Sequence, residues 1–347
     1  MADSPRALIA VGASAGGVAA LQTFVEALPA DLPAAILVVL HLPPGGTSAL
    51  ASILDRSGPL PATPAQQGGV LRAGHIYTAV PDHHLIAVDT ESYLSRGPTE
   101  NGHRPAVDAL FRSVALEHGP RSIGVVLSGA LDDGTAGLTA IKSRGGLAIV
   151  QDPDEAACRG MPESALSRIR VDHVLRAGDM GAALAKRLAE PVPDWPATSA
   201  SRIDELEARL AAARSPELLG SAEVPGVAAS SGLSCPDCQG VLFSLDSEGW
   251  RYRCRIGHAW TAQALLHEQG AEVDRALWTA LRAVEEKRDL AQRMRDAAAA
   301  DGRKRTAARY ADQVEEVAHA AAVLRGMLYT AVPQPADPDT ERRPNGQ

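Results

Sequence analysis

The feature that most limits the fold is an alternation running through residues 7–190. Short apolar runs stop at glycines or polar residues, and stretches of helical spacing follow them. Leu8–Val11, Ala35–Leu40, Ile123–Leu127 and Leu147–Val150 read as buried strands, with Gly74–Ala79 and Leu85–Val88 as strands of a middle section. Ser48–Leu54, Ala106–Glu117, Ala136–Ser143 and Glu163–Ser167 read as helices. Strands interleaved with helices predict an α/β fold, a largely parallel, doubly wound sheet with helices on both faces. Right-handed crossovers bring the loops together at the carboxyl ends of the strands, so chemistry is expected at that edge.

Three strand ends carry polar residues suited to it. The first runs into Gly12-Ala13-Ser14-Ala15-Gly16, the G-x-S-x-G spacing that lets a tight turn lift a serine hydroxyl clear of the backbone. A glycine-rich phosphate cradle fits the same residues. The second strand ends directly in His41, and the third leads into Ser128-Gly129-Ala130-Leu131-Asp132-Asp133-Gly134. A serine is a poor nucleophile until a positioned base takes its proton, and an imidazole does this best when a carboxylate fixes its tautomer. One aspartate of the pair is expected to cap the helix that begins near Thr135. His75, His83, His84, His103, His118, His173, His267 and His319 are expected in loops or on helix surfaces. A nucleotide-binding domain is disfavoured, because His41 stands where an acidic residue would follow the second strand.

A formal charge of −8 argues against a nucleic-acid partner, and no run of 18 apolar residues is present to span a membrane. A cytoplasmic location without membrane insertion is the expectation. The four cysteines suit it: Cys158 stands alone, and no disulfides are expected. Cys235-x2-Cys238-x15-Cys254-x3-His258 supplies four ligands for a structural, tetrahedral zinc, with Gly240–Tyr252 between them as a ribbon hairpin. Catalysis itself calls for no cofactor.

The organisation read from these features is a catalytic domain at 1–190 and a linker with a short helix at 191–234. A zinc-ribbon-like module at 235–262, a helical hairpin at 263–330 and a disordered tail at 331–347 complete it. The stretch Ser221–Ser234 is expected to be mobile. In the hairpin, Val273, Leu277, Ala280, Val284, Ala291 and Met294 form one apolar stripe, and Tyr310, Val314, Val317, Ala321, Leu324 and Leu328 the other. The stripes either bury each other or receive a second helical protein.

Val11–Gly17, His41-Leu42-Pro43, Ala79–Leu85, His103–Ala115 and Leu127–Gly137, in this order, resemble the catalytic domain of the CheB-type protein-glutamate methylesterases. The resemblance covers residues 7–190. It implies a triad of Ser14 as nucleophile, His41 as general base and then acid, and Asp133 as orienting carboxylate, with Asp132 left as the capping residue. Expected oxyanion donors are the backbone N–H groups of Ala15 or Gly16 and of Ala130 in the Gly129–Leu131 loop. The implied reaction hydrolyses glutamate methyl esters on the cytoplasmic helices of chemotaxis receptors, releasing methanol, with deamidation of receptor glutamines as a companion activity. Usual members begin with a phosphorylatable receiver, whereas here the first catalytic strand starts at residue 7, so regulation is expected to come from elsewhere or to be absent. A signalling scaffold with weak or lost hydrolysis stays open as an alternative. Its C-terminal modules would bind a receptor, a receptor methyltransferase or another signalling protein.

Overall fold

The computed structural model describes residues 4–43, 45–192, 202–212, 224 and 228–330. Most of the proline-rich part of the expected linker, at 193–200, and the expected tail at 331–347 lie outside these residues. The chain begins β1 (Ala7–Ala13), α1 (Gly17–Glu26), β2 (Ala34–Leu40), α2 (Leu50–Ser57), β3 (Ala62–Pro64), β4 (Gly69–Val70) and β5 (His75–Thr78). It continues β6 (His84–Val88), β7 (Glu91–Ser95), α3 (Val107–His118), β8 (Ser122–Val126), α4 (Thr135–Ser143) and β9 (Leu147–Gln151). Then come α5 (Gly160–Arg168), β10 (His173–Leu175), α6 (Met180–Ala189) and α7 (Arg202–Ala212).

The main sheet runs β10-β9-β8-β1-β2-β5-β3, with every neighbouring pair parallel. Side chains alternate across a strand, and β1 shows the consequence. Ala7, Ile9, Val11 and Ala13 join the core under α1, α2 and α6, whereas Leu8 and Ala10 join the core under α3, α4 and α5. Both faces of β1 and β2 are therefore buried along their whole length, which is why these strands read as unbroken apolar runs. The expected doubly wound α/β architecture is the one observed. Strands β4, β7 and β6 add a small antiparallel sheet beside α3.

The metal-ligand segment forms a second antiparallel sheet of β11 (Ala229–Ser234), β12 (Val241–Ser244), β13 (Arg251–Cys254) and β14 (Ala259–Thr261). Of Ser221–Ser234, expected to be mobile, residues 221–223 and 225–227 lie outside the described residues, and Ala229–Ser234 pair with β12. Two compact units emerge, Met1–Leu266 and His267–Gln347, so the ribbon belongs to the same unit as the parallel sheet. Helix α7 joins this unit too, burying Leu206, Leu210 and Ala211.

Two long helices follow, α8 (Ala262–Ala300) and α9 (Lys304–Thr330). Leu281, Ala321 and Leu328 pack with Leu277, Val284 and Leu324, so much of the two stripes is mutually buried. Val273 and Met294 stay exposed. Among the described residues no helix is long and apolar enough to cross a membrane.

Candidate active site

Strands β8, β1 and β2 are adjacent at the centre of the sheet, and their carboxyl ends meet. The His41 N–H donates to the Ala13 carbonyl (3.2 Å), the Leu127 N–H to Gly12 (2.9 Å) and the Ser14 N–H to Ser128 (2.9 Å). Ser14 occupies the turn between β1 and α1, closed by the Gly17 N–H donating to its carbonyl. Gly16 makes this turn at φ +72°, a left-handed conformation that a side chain rarely adopts, and a Cβ there would also strike Ser128 Oγ. Gly129 has a different reason to be glycine: a Cβ would sit 2.0 Å from Met161 Sδ and 3.0 Å from the Ser14 Cβ. The floor beneath the serine is thus closed by packing.

His41 Nδ1 lies 3.0 Å from Ser14 Oγ, and its Nε2 lies 2.7 Å from Asp133 Oδ2. An ionised carboxylate can only accept, so Nε2 carries the hydrogen and Nδ1 is left as the acceptor facing the serine hydroxyl. Asp133 is 3% exposed and collects donors from several directions. The Val107 N–H donates to Oδ2 (2.7 Å), while those of Asp108 (3.1 Å) and Gly134 (3.0 Å) donate to Oδ1. Val107 and Asp108 open α3, whose Ala106 start has no side-chain cap of its own, so the carboxylate satisfies that helix's free N–H groups. Burial raises the Asp133 pKa, but the His41 hydrogen bond and charge, with the Val107 N–H, outweigh it and hold the carboxyl below the usual range. It is an anion at neutral pH.

Asp132 corrects its expected role. No side chain caps α4 at Gly134, and Asp132 Oδ1 instead accepts from the Thr261 hydroxyl at 2.8 Å. Asp108 reaches across from α3 to serve α4, accepting the Gly137 N–H at 2.6 Å. A buried carboxylate reaching from another helix leaves no trace in local spacing. Burial, with some help from Asp133, pushes the Asp132 carboxyl up to about 6, and its Oδ2 has no hydrogen-bond partner among the described residues. Because the folded pKa is raised, this group's contribution is complete below about pH 4 and is lost as pH rises through about 6. Asp132→Asn should therefore gain on the wild type by on the order of 2–3 kcal/mol between pH 4 and 7, read from urea unfolding at each pH.

Of the histidines expected in loops or on helix surfaces, His84 lies instead in β6, and His103 keeps its loop position but is half-buried against the site. His84 is fully buried, placed so that the Ala106 N–H donates to its Nδ1 (3.2 Å). His103 stacks on His41, ring centroids 3.7 Å apart and planes within 17°. Burial and then the His41 charge push His103 down to about 4, so it presents a neutral face to the His41 ring. Ala15, Gly16 and Ala130 lie on exposed turns next to Ser14, and their N–H groups have no hydrogen-bond acceptor among the described residues. Cys158 takes part through its backbone, accepting the Gly129 N–H at 3.0 Å.

The four ribbon ligands also converge. Cys235, Cys238 and Cys254 are free thiols, and with His258 their ligand atoms lie within 4.8 Å of one another. Cys238 and Cys254 Sγ are 3.7 Å apart, and His258 Nδ1 is 3.7 Å from Cys235 Sγ and 3.5 Å from Cys254 Sγ. A tetrahedral zinc requires S···S edges of about 3.8 Å and S···N edges of about 3.6 Å. The donors and their spacing fit that ion, and with four ligands the site is closed to substrate.

Comparison with known proteins places the parallel-sheet part of the chain in one family. The CheB methylesterase family model matches residues 9–184. The chain is 40% identical over 180 residues to "Protein-glutamate methylesterase/protein-glutamine glutaminase 2" of Methanosarcina mazei, covering 50% of this chain and 49% of that protein. It is 37% identical over 188 residues to the Symbiobacterium thermophilum protein-glutamate methylesterase/protein-glutamine glutaminase, covering 54% and 52%. The crystal structure of the Thermotoga maritima CheB methylesterase catalytic domain superposes with a TM-score of 0.50 at 33% identity, covering 52% of this chain and 98% of that one. The chain spans about half the length of the curated relatives it matches. With its seven-stranded parallel sheet and a serine, histidine and aspartate on three neighbouring strand ends, the chain belongs to the CheB methylesterase family.

Proposed function

We propose that the chain is a serine carboxyl-esterase that hydrolyses glutamate methyl esters on the cytoplasmic helices of chemotaxis-type receptors. The observation that carries this reading is the unbroken hydrogen-bonded series from Ser14 Oγ through His41 to Asp133. Ser14 Oγ attacks the γ-carbonyl carbon while His41 Nδ1 takes its proton, and Asp133 stabilises the imidazolium. The tetrahedral oxyanion is met by N–H groups of Ala15 or Gly16 and of Ala130. Collapse breaks the bond to the methoxy oxygen, and His41 returns the proton to release methanol. Water, deprotonated by His41, then cleaves the glutamyl ester on Ser14 and leaves a free glutamate carboxylate. A glutamine side chain enters the same cycle with ammonia as the leaving group.

Zinc has no step in this cycle. Held by Cys235, Cys238, Cys254 and His258, it would cross-link the ribbon's two turns. The reading carries a cytoplasmic location with it, because the substrate helices are cytoplasmic. A signalling scaffold would need none of the serine chemistry, which gives a direct test. A fluorophosphonate probe should label Ser14 in the wild-type chain and fail to label His41→Ala, with digestion and mass spectrometry locating the adduct. Labelling that survives in His41→Ala, or falls on another serine, contradicts the reading.

A further inference from the structure

The ribbon's last strand is joined to the loop that leads into the catalytic aspartate's surroundings. The Ala259 N–H donates to the Thr99 carbonyl (3.1 Å), and the Asn101 N–H donates back to Ala259 (2.8 Å). Two residues on, the Thr261 N–H donates to Asn101 Oδ1 at 2.8 Å. That bond assigns the carboxamide, since its oxygen is taken by the ribbon and its NH2 must face the other way. There Nδ2 lies 3.4 Å from Asp133 Oδ1 and 3.5 Å from Asp108 Oδ2. These contacts are long, so the amide acts mainly as an oriented dipole between two carboxyl groups that would otherwise repel each other. Reversed, it would turn its oxygen on both.

Thr261 is itself fixed from three sides. Besides its N–H bond, its hydroxyl donates to Asp132 and accepts the Ala264 N–H at 3.1 Å, capping α8. Upstream lies the metal turn. The Cys254 N–H donates to the His258 carbonyl (2.9 Å) and that of Gly257 to Cys254 (3.0 Å), so two of the four ligands close the turn that launches β14. The seam is tight, leaving a cavity of about 10 Å³ lined by Asn101, Asp108, Trp260 and Thr261 among others, room for about one water. Movement at the ligands has little slack before it reaches Asn101.

We propose that Asn101 is a positioning residue for the Asp133–His41 pair, and that the metal-loaded ribbon sets its orientation through Thr261, so that metal occupancy controls how well the triad is assembled. The proposal rests on the esterase reading of the triad. The ribbon's contact reaches the triad at its Asp133 end, through Asn101.

The test uses the full chain, zinc-loaded and after chelation, in wild type, Asn101→Ala and Thr261→Ser, with zinc content and melting temperature measured for each. The first readout is the downfield proton resonance of the His41–Asp133 hydrogen bond, and the second is the rate of fluorophosphonate labelling. Zinc-loaded Asn101→Ala should keep its zinc, shift the resonance and label about tenfold more slowly. Chelated wild type should match it, recover on zinc addition, and Asn101→Ala should lose little more on chelation. Thr261→Ser, which keeps both donors, should behave as wild type. An unmoved resonance in zinc-loaded Asn101→Ala overturns the proposal, even where chelation unfolds the chain. Losses from chelation and Asn101→Ala that multiply overturn it too, because the ribbon would then act by another route. A wild-type chain that never labels rejects the esterase reading alone, and the resonance still decides the coupling.

Discussion

Asp133→Asn should lower ester hydrolysis by about 10⁴-fold and destabilise the fold by about 1–3 kcal/mol. The first effect follows from the tautomer. Asp133 takes the His41 Nε2 hydrogen at 2.7 Å, which leaves Nδ1 free to accept from Ser14. A carboxamide can turn its NH2 toward Nε2, which then becomes the acceptor, and the hydrogen moves to Nδ1, where it blocks the base. The second effect follows from α3. Both carboxylate oxygens receive backbone N–H groups, from Val107 on one side and Asp108 and Gly134 on the other. Whichever way the amide sits, its NH2 meets a donor. Hydrolysis rates and thermal unfolding of the same preparation check both. Near-normal hydrolysis would mean that His41 is oriented by something other than Asp133.

Arg253→Met should cost about 3–5 kcal/mol of stability. Arg253 is fully buried; its Nη2 donates to both Glu100 and Glu207 at 3.0 Å, and its Nη1 donates to the Gly257 carbonyl at 2.6 Å. Arg112 holds the second oxygen of Glu100, and Arg251 the second oxygen of Glu207. Methionine fills much of the volume but leaves two buried carboxylates each short of one cation. Burial raises the Glu207 pKa, yet the charges of Arg112, Arg251 and Arg253 overcome it and bring the group down to about 2. With the folded pKa depressed, this stabilisation is present above about pH 4.5 and is lost as pH falls toward 2. Arg253→Met should move that loss to less acidic pH, and adding Glu207→Met should recover part of the stability. Urea unfolding from pH 2 to 7 reads all three proteins.

Local pattern carried most of what could be read without coordinates. The four long strands and the helices Ala106–Glu117 and Ala136–Ser143 were legible because both-face burial demands apolar runs and one-face burial demands helical spacing. Ser14, His41 and the Asp132-Asp133 pair stand in loops at the ends of central strands, a placement that pattern alone shows, whereas the choice of Asp133 over Asp132 came from the family resemblance. Strands β3 and β4 were not, having three and two residues with no periodicity to show. The ribbon's ligands announce themselves by spacing, but its docking does not. Arg253 meets Glu100 across 153 residues and Thr261 meets Asn101 across 160, pairings that no window along the chain can contain. The stack of His103 on His41 is hidden for the same reason, since a contact with another loop's imidazole has no local signature. Asp132 followed, since the hydroxyl it binds lies 129 residues away.

Methanol release from methylated receptor cytoplasmic fragments, compared between wild type and Ser14→Ala at equal zinc content, is the most direct test of the esterase. Release by the wild-type chain that disappears in a folded Ser14→Ala protein is the predicted result. Equal release by both, or none from any methylated fragment by a folded, zinc-loaded chain, would contradict it.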